Sequence, residues 1–125
     1  MLREQIQKFC ESEYDFYKRE EIIKSDDDYD AKVWSLFAEQ GWLSMPFSEE
    51  SGGFGFGAIE LSILFEEFGK ALVIEPYLSS VVLSGTLIDK SNYSEKNSLI
   101  EGICSESYKF HLHMLKLIRI MIILI

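Results

Sequence analysis

Four glycines fall within six residues, Gly52 to Gly57 (GGFGFG), and a helical pattern of apolar residues begins directly behind them. No strand or helix interior tolerates glycine at that density, because each one adds backbone freedom and removes a packing side chain. The chain must turn here. Gly53-x-Gly55-x-x-Ala58 has the form of a variant dinucleotide-binding fingerprint, but that motif needs a buried strand leading into the glycines and a later parallel strand. SMPFSEES, with Pro46 and two glutamates, precedes them instead. The better reading is a tight loop in which two phenylalanines pack while the backbone swings into a helix.

That helix is expected over residues 58–72. Leu61, Leu64, Phe65, Phe68 and Leu72 form an apolar arc, and Glu60, Ser62, Glu66, Glu67 and Lys70 lie opposite. Ile59 and Ile63 interrupt the polar side, so part of it meets another element. The adjacent carboxylates Glu66 and Glu67 invite an acid–base reading. Neighbours on a helix point about 100° apart and cannot share one substrate atom, so surface or interdomain charges are expected. Pro76 suits the first turn of a further helix over 76–89, although YLSSVVLSGTLID is rich in β-branched and small residues and would tolerate a strand. Asn92 and Glu95 read as a capping pair for a last short helix ending at Gly102.

Upstream, Leu2, Ile6, Phe9, Phe16 and Ile23 recur near helical spacing and predict one amphipathic helix over residues 2–24. Glu13 lies within that stripe. With no second acid or histidine at helical spacing, it reads as part of a half-covered face rather than as a catalytic carboxylate. Ser25 to Asp30 (SDDDYD) is a polar break in which Asp28 or Asp30 can cap the next helix. It opens like a calcium loop but lacks the downstream glycine and the twelfth-position glutamate. The helix over 30–41 carries Val33, Trp34, Phe37 and Ala38 on one face and stops at Gly41. Trp42 to Phe47 is expected to run extended through Pro46.

The chain has 125 residues, enough for one core. Hydrophobic residues at 47% against 26% charged rule out disordered and collagen-like classes. Twelve basic against twenty-one acidic side chains, a net charge of −9, argue against nucleic acid as a partner and against direct capture of an anionic ligand by this segment alone. Cys10 and Cys104 lack CxxC spacing and are expected to be reduced in a cytoplasmic protein. The N-terminus lacks the apolar run of a signal peptide, and no stretch approaches the roughly 18 apolar residues that span a bilayer.

From Phe37 onward these signals come in a specific order: a helix ending QGW, an extended L-x-x-P segment, the GGFG loop, a helix carrying EEFG, and EPYLSS opening the next. In that order they resemble the N-terminal helical domain of the acyl-CoA dehydrogenases, closest to the branch acting on dicarboxyl- or steroid-derived acyl-CoAs, often as mixed complexes of two related subunits. The resemblance runs from Val33 to Glu106 and implies an all-α fold. It implies an FAD-dependent enzyme that forms a double bond between Cα and Cβ of an acyl-CoA, a carboxylate taking the α proton while the flavin accepts hydride. Base and flavin contacts lie in later domains of the family, so no catalytic or FAD-binding residue is expected here, and the chain alone is expected neither to retain FAD nor to be active. The N-terminal helices wall the acyl-tail pocket. On a helix over 76–89, Tyr77, Ser80, Val81 and Ser84 share the face expected to meet the tail, with Leu78, Val82 and Ile88 toward the core.

Two segments are thereby distinguished: residues 1–106 as the helical domain, and 107–125 as an irregular tail standing where the family's middle β domain would begin. SYKFHLHMLKLIRIMIILI shifts abruptly toward Ile, Leu and Lys, as a truncated or frame-shifted reading would. His111 and His113 could join Cys104 at a metal, but a fourth ligand is lacking and no metal site is expected. An incidental, aggregation-prone tail is the expectation, rather than a membrane anchor. Homo- or hetero-oligomers with related subunits follow from the resemblance. The alternative to an enzyme portion is a non-catalytic helical adaptor pairing with a related full-length subunit.

Overall fold

The computed structural model describes residues 1–27 and 29–106, and among these there is no strand. Six helices are named here: α1 (Leu2–Glu13), α2 (Phe16–Lys24), α3 (Ala31–Glu39), α4 (Ala58–Lys70), α5 (Thr86–Asp89) and α6 (Lys96–Cys104). A π-wound segment, Leu78–Gly85, runs directly into α5. The all-α expectation holds. The tail expectations, with His111 and His113, lie outside the described residues, as does Asp28.

The single helix expected over 2–24 is instead two. Asp15 breaks it: its carboxylate accepts the Lys18 amide at 2.8 Å and caps α2, an arrangement that competes with continuing the helix. The break resets the helical phase. Ile6 and Phe9 of α1 are buried as expected, but Tyr14 and Ile22 take over further on, leaving Phe16 67% and Ile23 52% exposed. Glu13 ends on the surface, clear of any acid–base role.

Asp30 caps α3 through the Lys32 amide at 2.7 Å, and Gly41 turns the chain at φ 77°, both as anticipated. Trp42 to Phe47 is not extended. It coils as a 3₁₀ turn over Trp42–Ser44 and a further turn, which lets four side chains from one short segment, Trp42, Leu43, Met45 and Phe47, all reach the interior. An extended run would have sent alternate residues to solvent.

Helix α4 begins at the glycine loop, where Glu60 reaches back to accept the Gly57 amide at 2.9 Å. It ends before Leu72, which sits at φ 54° with its side chain exposed rather than completing the apolar arc. Glu67 is also displaced from its expected surface position. Its residue is only 3% exposed, shielded by Arg3 from α1 at 2.5 Å and Lys70 at 2.9 Å, while Arg3 holds Glu66 at 2.9 Å. Both carboxyls are held below the usual range, Glu66 chiefly by Arg3 and Glu67 chiefly by Lys70. The polar side of α4 therefore docks α1 through a charged clamp.

At the centre stands Phe37, fully buried, its ring against Phe9, Trp34, Trp42 and Phe68 at centroid distances of 5.0–6.0 Å. Helix α6 closes the domain. It runs two residues past the expected stop at Gly102, and Glu95 makes no side-chain cap, so the Asn92–Glu95 pair does not form. Lys96 anchors its start instead, donating to the Asp89 carbonyl at 2.9 Å.

Candidate functional site

Residues 77–89 are helical despite their β-branched content, so tertiary packing overrides propensity here. The winding is wider than expected over Leu78–Gly85, and π turns of this kind are frequent at functional positions. Tyr77, Ser80, Val81 and Ser84 do share one face, and all four are buried against the domain's own interior. Ile88 joins them, whereas Leu78, expected in the core, is half exposed. The π winding turns Leu78 and Leu83 outward together.

The Tyr77 hydroxyl donates to the Trp42 carbonyl at 2.6 Å, and its ring meets Phe65 and Phe68 edge-on. Burial raises its pKa, so it stays a neutral donor. The Ser84 hydroxyl is buried and bonds to nothing among the described residues. Buried hydroxyls are almost always partnered, so Ser84 is an exception whose bonding is left unmet among the described residues.

The glycine loop is tied down from both sides. Every amide from Gly52 to Gly57 donates within the chain: to Glu49, Ser48, Ser44, Phe47 and Met45 carbonyls in turn, and finally to the Glu60 carboxylate. None is left to cradle a phosphate, so the dinucleotide reading fails on geometry. A knot that sequence reasoning missed fixes the loop's approach. Asp89, at the end of α5, accepts the Ser48 amide at 2.9 Å, the Ser48 hydroxyl at 3.0 Å and the Ser51 hydroxyl. Burial pushes its pKa up, but the bonds from Ser51 and Ser48 outweigh that and hold it below the usual range. With no histidine in the knot, it orients backbone rather than activating a nucleophile.

A cleft of about 420 Å³ opens beside this helix, between α2, the end of α4 and the segment leading to Tyr77. Arg19 and Glu75 are its charged lining residues. No well-formed hydrogen bond reaches either buried Glu75 oxygen among the described residues, and burial raises its pKa, which the Tyr14 hydroxyl and the Asp30 backbone only partly offset. A raised carboxyl pKa means the folded state holds the proton more tightly, so the stability it contributes is lost as pH rises through the ordinary range. Glu75→Gln should therefore stabilise the chain at pH 7, because the amide keeps the shape of the side chain without a charge to desolvate. The gain should vanish below pH 4.5, the ordinary carboxyl value, where both side chains are neutral. Melting temperatures of the two proteins across that range check it; a gap that grows on acidification would refute it.

Neither Cys10 nor Cys104 is bridged, and burial lifts both thiols, Cys10 to about 11, which makes them poor nucleophiles. Among the described residues no group of three His, Cys, Asp or Glu could hold a metal, and no helix is long and apolar enough to cross a membrane.

Known proteins resemble this arrangement closely. The chain is 32% identical over 81 residues to the acyl-CoA dehydrogenase IpdE2 of Mycolicibacterium smegmatis, covering 64% of this chain and 26% of that protein. It is 36% identical over 64 residues to the acyl-CoA dehydrogenase FadE27 of Mycobacterium tuberculosis, covering 51% of this chain and 17% of that protein. The chain thus spans about a quarter or less of the length of these relatives. A solved structure of the Tcur3481-Tcur3483 steroid ACAD superposes with a TM-score of 0.75 at 22% identity, over 83% of this chain and 28% of that one, which establishes the fold. Residues 1–107 match the acyl-CoA dehydrogenase N-terminal domain, and the chain belongs to that family.

Proposed function

We propose that this chain serves as the N-terminal portion of an FAD-dependent acyl-CoA dehydrogenase of the cytoplasm, walling the acyl-tail pocket and packing against the domains that bind flavin. The family match over residues 1–107 carries this reading. The Gly52–Gly57 amides are all committed internally, so the residues present do not fit a flavin pyrophosphate, and the cofactor's contacts are assigned to other parts of the enzyme. What this chain contributes is shape. Leu83 and Leu87 leave large apolar side chains in solvent, a surface suited to a following domain or a related subunit.

For the tail wall the proposal names Tyr77, Ser80, Val81 and Ser84. The π winding and the orphaned Ser84 hydroxyl support it: both are features that a perfectly packed helix would lack. Small serines beside one tyrosine hydroxyl leave room for a bulky or polar-ended acyl group, since a straight apolar chain needs no such lining. The partners of the assembled enzyme would be acyl-CoA, FAD and related subunits in a homo- or hetero-oligomer. The same exposed leucines would serve a non-catalytic adaptor that pairs with a full-length subunit.

A graft separates these readings. With residues 1–106 replacing the matching segment of the M. smegmatis relative, the chimera should bind flavin and dehydrogenate acyl-CoA, while the 125-residue chain alone should do neither. Ser80→Leu or Ser84→Leu in the chimera should lower kcat/KM for long or bulky acyl-CoAs about tenfold more than for short ones. An equal loss at all lengths, with flavin retained, would remove these residues from the tail wall. An inactive chimera beside a tight complex of the chain with a full-length subunit would favour the adaptor.

A further inference from the structure

The cleft between α2 and the end of α4 is an open surface groove of about 420 Å³ with apolar walls of Phe65, Phe68, Leu72, Val73, Tyr77 and Leu78. Its cation is Arg19. The guanidinium Nε donates to the Leu72 carbonyl at 2.8 Å, which fixes the head at the cleft. Leu72 sits at φ 54°, in the left-handed region that a leucine rarely occupies, and it is this backbone whose carbonyl Arg19 holds. Elsewhere Arg3, Lys18, Lys24 and Lys70 each hold a carboxylate. Arg19 has no carboxylate partner among the described residues, as is also true of Lys8, Lys32, Lys90 and Lys96, but of these five it alone lines the cleft. Its Nη groups retain four N–H donors in the planar fork that matches a carboxylate.

We propose that this cleft binds an apolar ligand ending in a carboxylate, the chain or ring body lying on the phenylalanines and leucines and the carboxylate paired with Arg19. The charged groups around the site allow this. Glu75 also lines the cleft, but each of its oxygens exposes less than 1 Å², out of a ligand's reach. Lys18 is held at 2.8 Å by Asp30, which leaves that pair neutral as a whole. Tyr14 is neutral and accepts the Ile74 amide. The net charge of −9 opposes any anion at long range, so the selectivity must come from the local fork and must weaken with salt. Nothing in this site requires flavin or the dehydrogenase reading, and the 125-residue chain itself can be tested.

Calorimetric titration with decanoate below its micelle concentration, against decanol as the uncharged probe, tests the proposal. The unmodified chain should prefer decanoate by about tenfold or more at low salt, as a charge-assisted pair in a partly dry site would give. Arg19→Met, which keeps the apolar stem and removes the fork, should abolish that preference while decanol binding persists. Arg19→Lys should retain part of it. Should Arg19→Met fail to fold, the preference of the unmodified chain and its loss on adding salt still decide. Equal affinity for both probes, absence of binding by either, or a preference for decanoate that survives Arg19→Met would overturn the proposal.

Discussion

Gly53→Ala is expected to cost more than about 3 kcal/mol and to lower the melting temperature by more than about 12 °C. A Cβ on residue 53 would stand 2.2 Å from the Phe47 carbonyl oxygen and 2.6 Å from the Phe47 carbonyl carbon and Cβ. Those are backbone atoms or bound directly to backbone. Phe47 cannot yield, because its side chain is fully buried and its ring lies where a Cβ on Gly85 would meet it at 2.4 Å. The same carbonyl accepts the Gly55 amide at 2.8 Å, so moving it also breaks the loop's own bonding. Gly69→Ala provides the contrast. It sits within α4 with nothing inside 4 Å of a new Cβ, and helix propensity should make the change stabilising by roughly 0.5–1 kcal/mol. Thermal melts followed by circular dichroism should place the two variants on opposite sides of the unmodified chain. A Gly53→Ala protein melting within a few degrees of it would mean the loop is far softer than its contacts indicate.

The glycine run was legible because four glycines in six residues leave few alternatives to a tight turn. Helix α3 was legible for a related reason, its apolar periodicity, cap and stop agreeing with one another, whereas α4 was legible from its apolar arc alone and ends two residues short of it. Asp15 shows where local signals mislead. The apolar spacing of Phe16 and Ile23 continued that of Phe9, yet an aspartate cap one residue earlier restarted the helix and turned both outward. Glu67 shows a second limit. Its burial depends on Arg3, 64 residues away, and no window around either residue contains the pair. The same holds for Ser48 and Ser51 with Asp89, and for Arg19 with the Leu72 carbonyl. The facing of residues 77–89 was half readable. The four residues do share a face, but it packs against the domain's own interior, the side expected of Leu78, Val82 and Ile88; π winding shifted Leu78 out of the core, and an even helical wheel cannot anticipate a change of pitch.

Phe37→Ala should be the most damaging truncation in the core. Phe37 is 0% exposed and meets Phe9, Trp34, Trp42 and Phe68, so it joins α1, α3, the turn after Gly41 and α4 in one cluster. Removing a buried phenyl ring costs about 3–5 kcal/mol, the upper end applying where neighbours cannot collapse into the space. Collapse is restricted here. The stacked Phe68 ring is also held edge-on by Tyr77, and Tyr77 is fixed by its bond to the Trp42 carbonyl. At roughly 4–8 °C per kcal/mol for a domain of this size, the melting temperature should fall by more than about 12 °C. The chain's two tryptophans, Trp34 and Trp42, both touch the ring, so their emission should shift to longer wavelength with the same midpoint as the helical signal. Phe54→Ala is the matched control, a ring of the same size that is half exposed on the glycine loop, and it should cost less than half as much. Equal losses in the two variants would show that the stability of the domain does not converge on Phe37, and that the loop aromatics carry weight their exposure does not suggest.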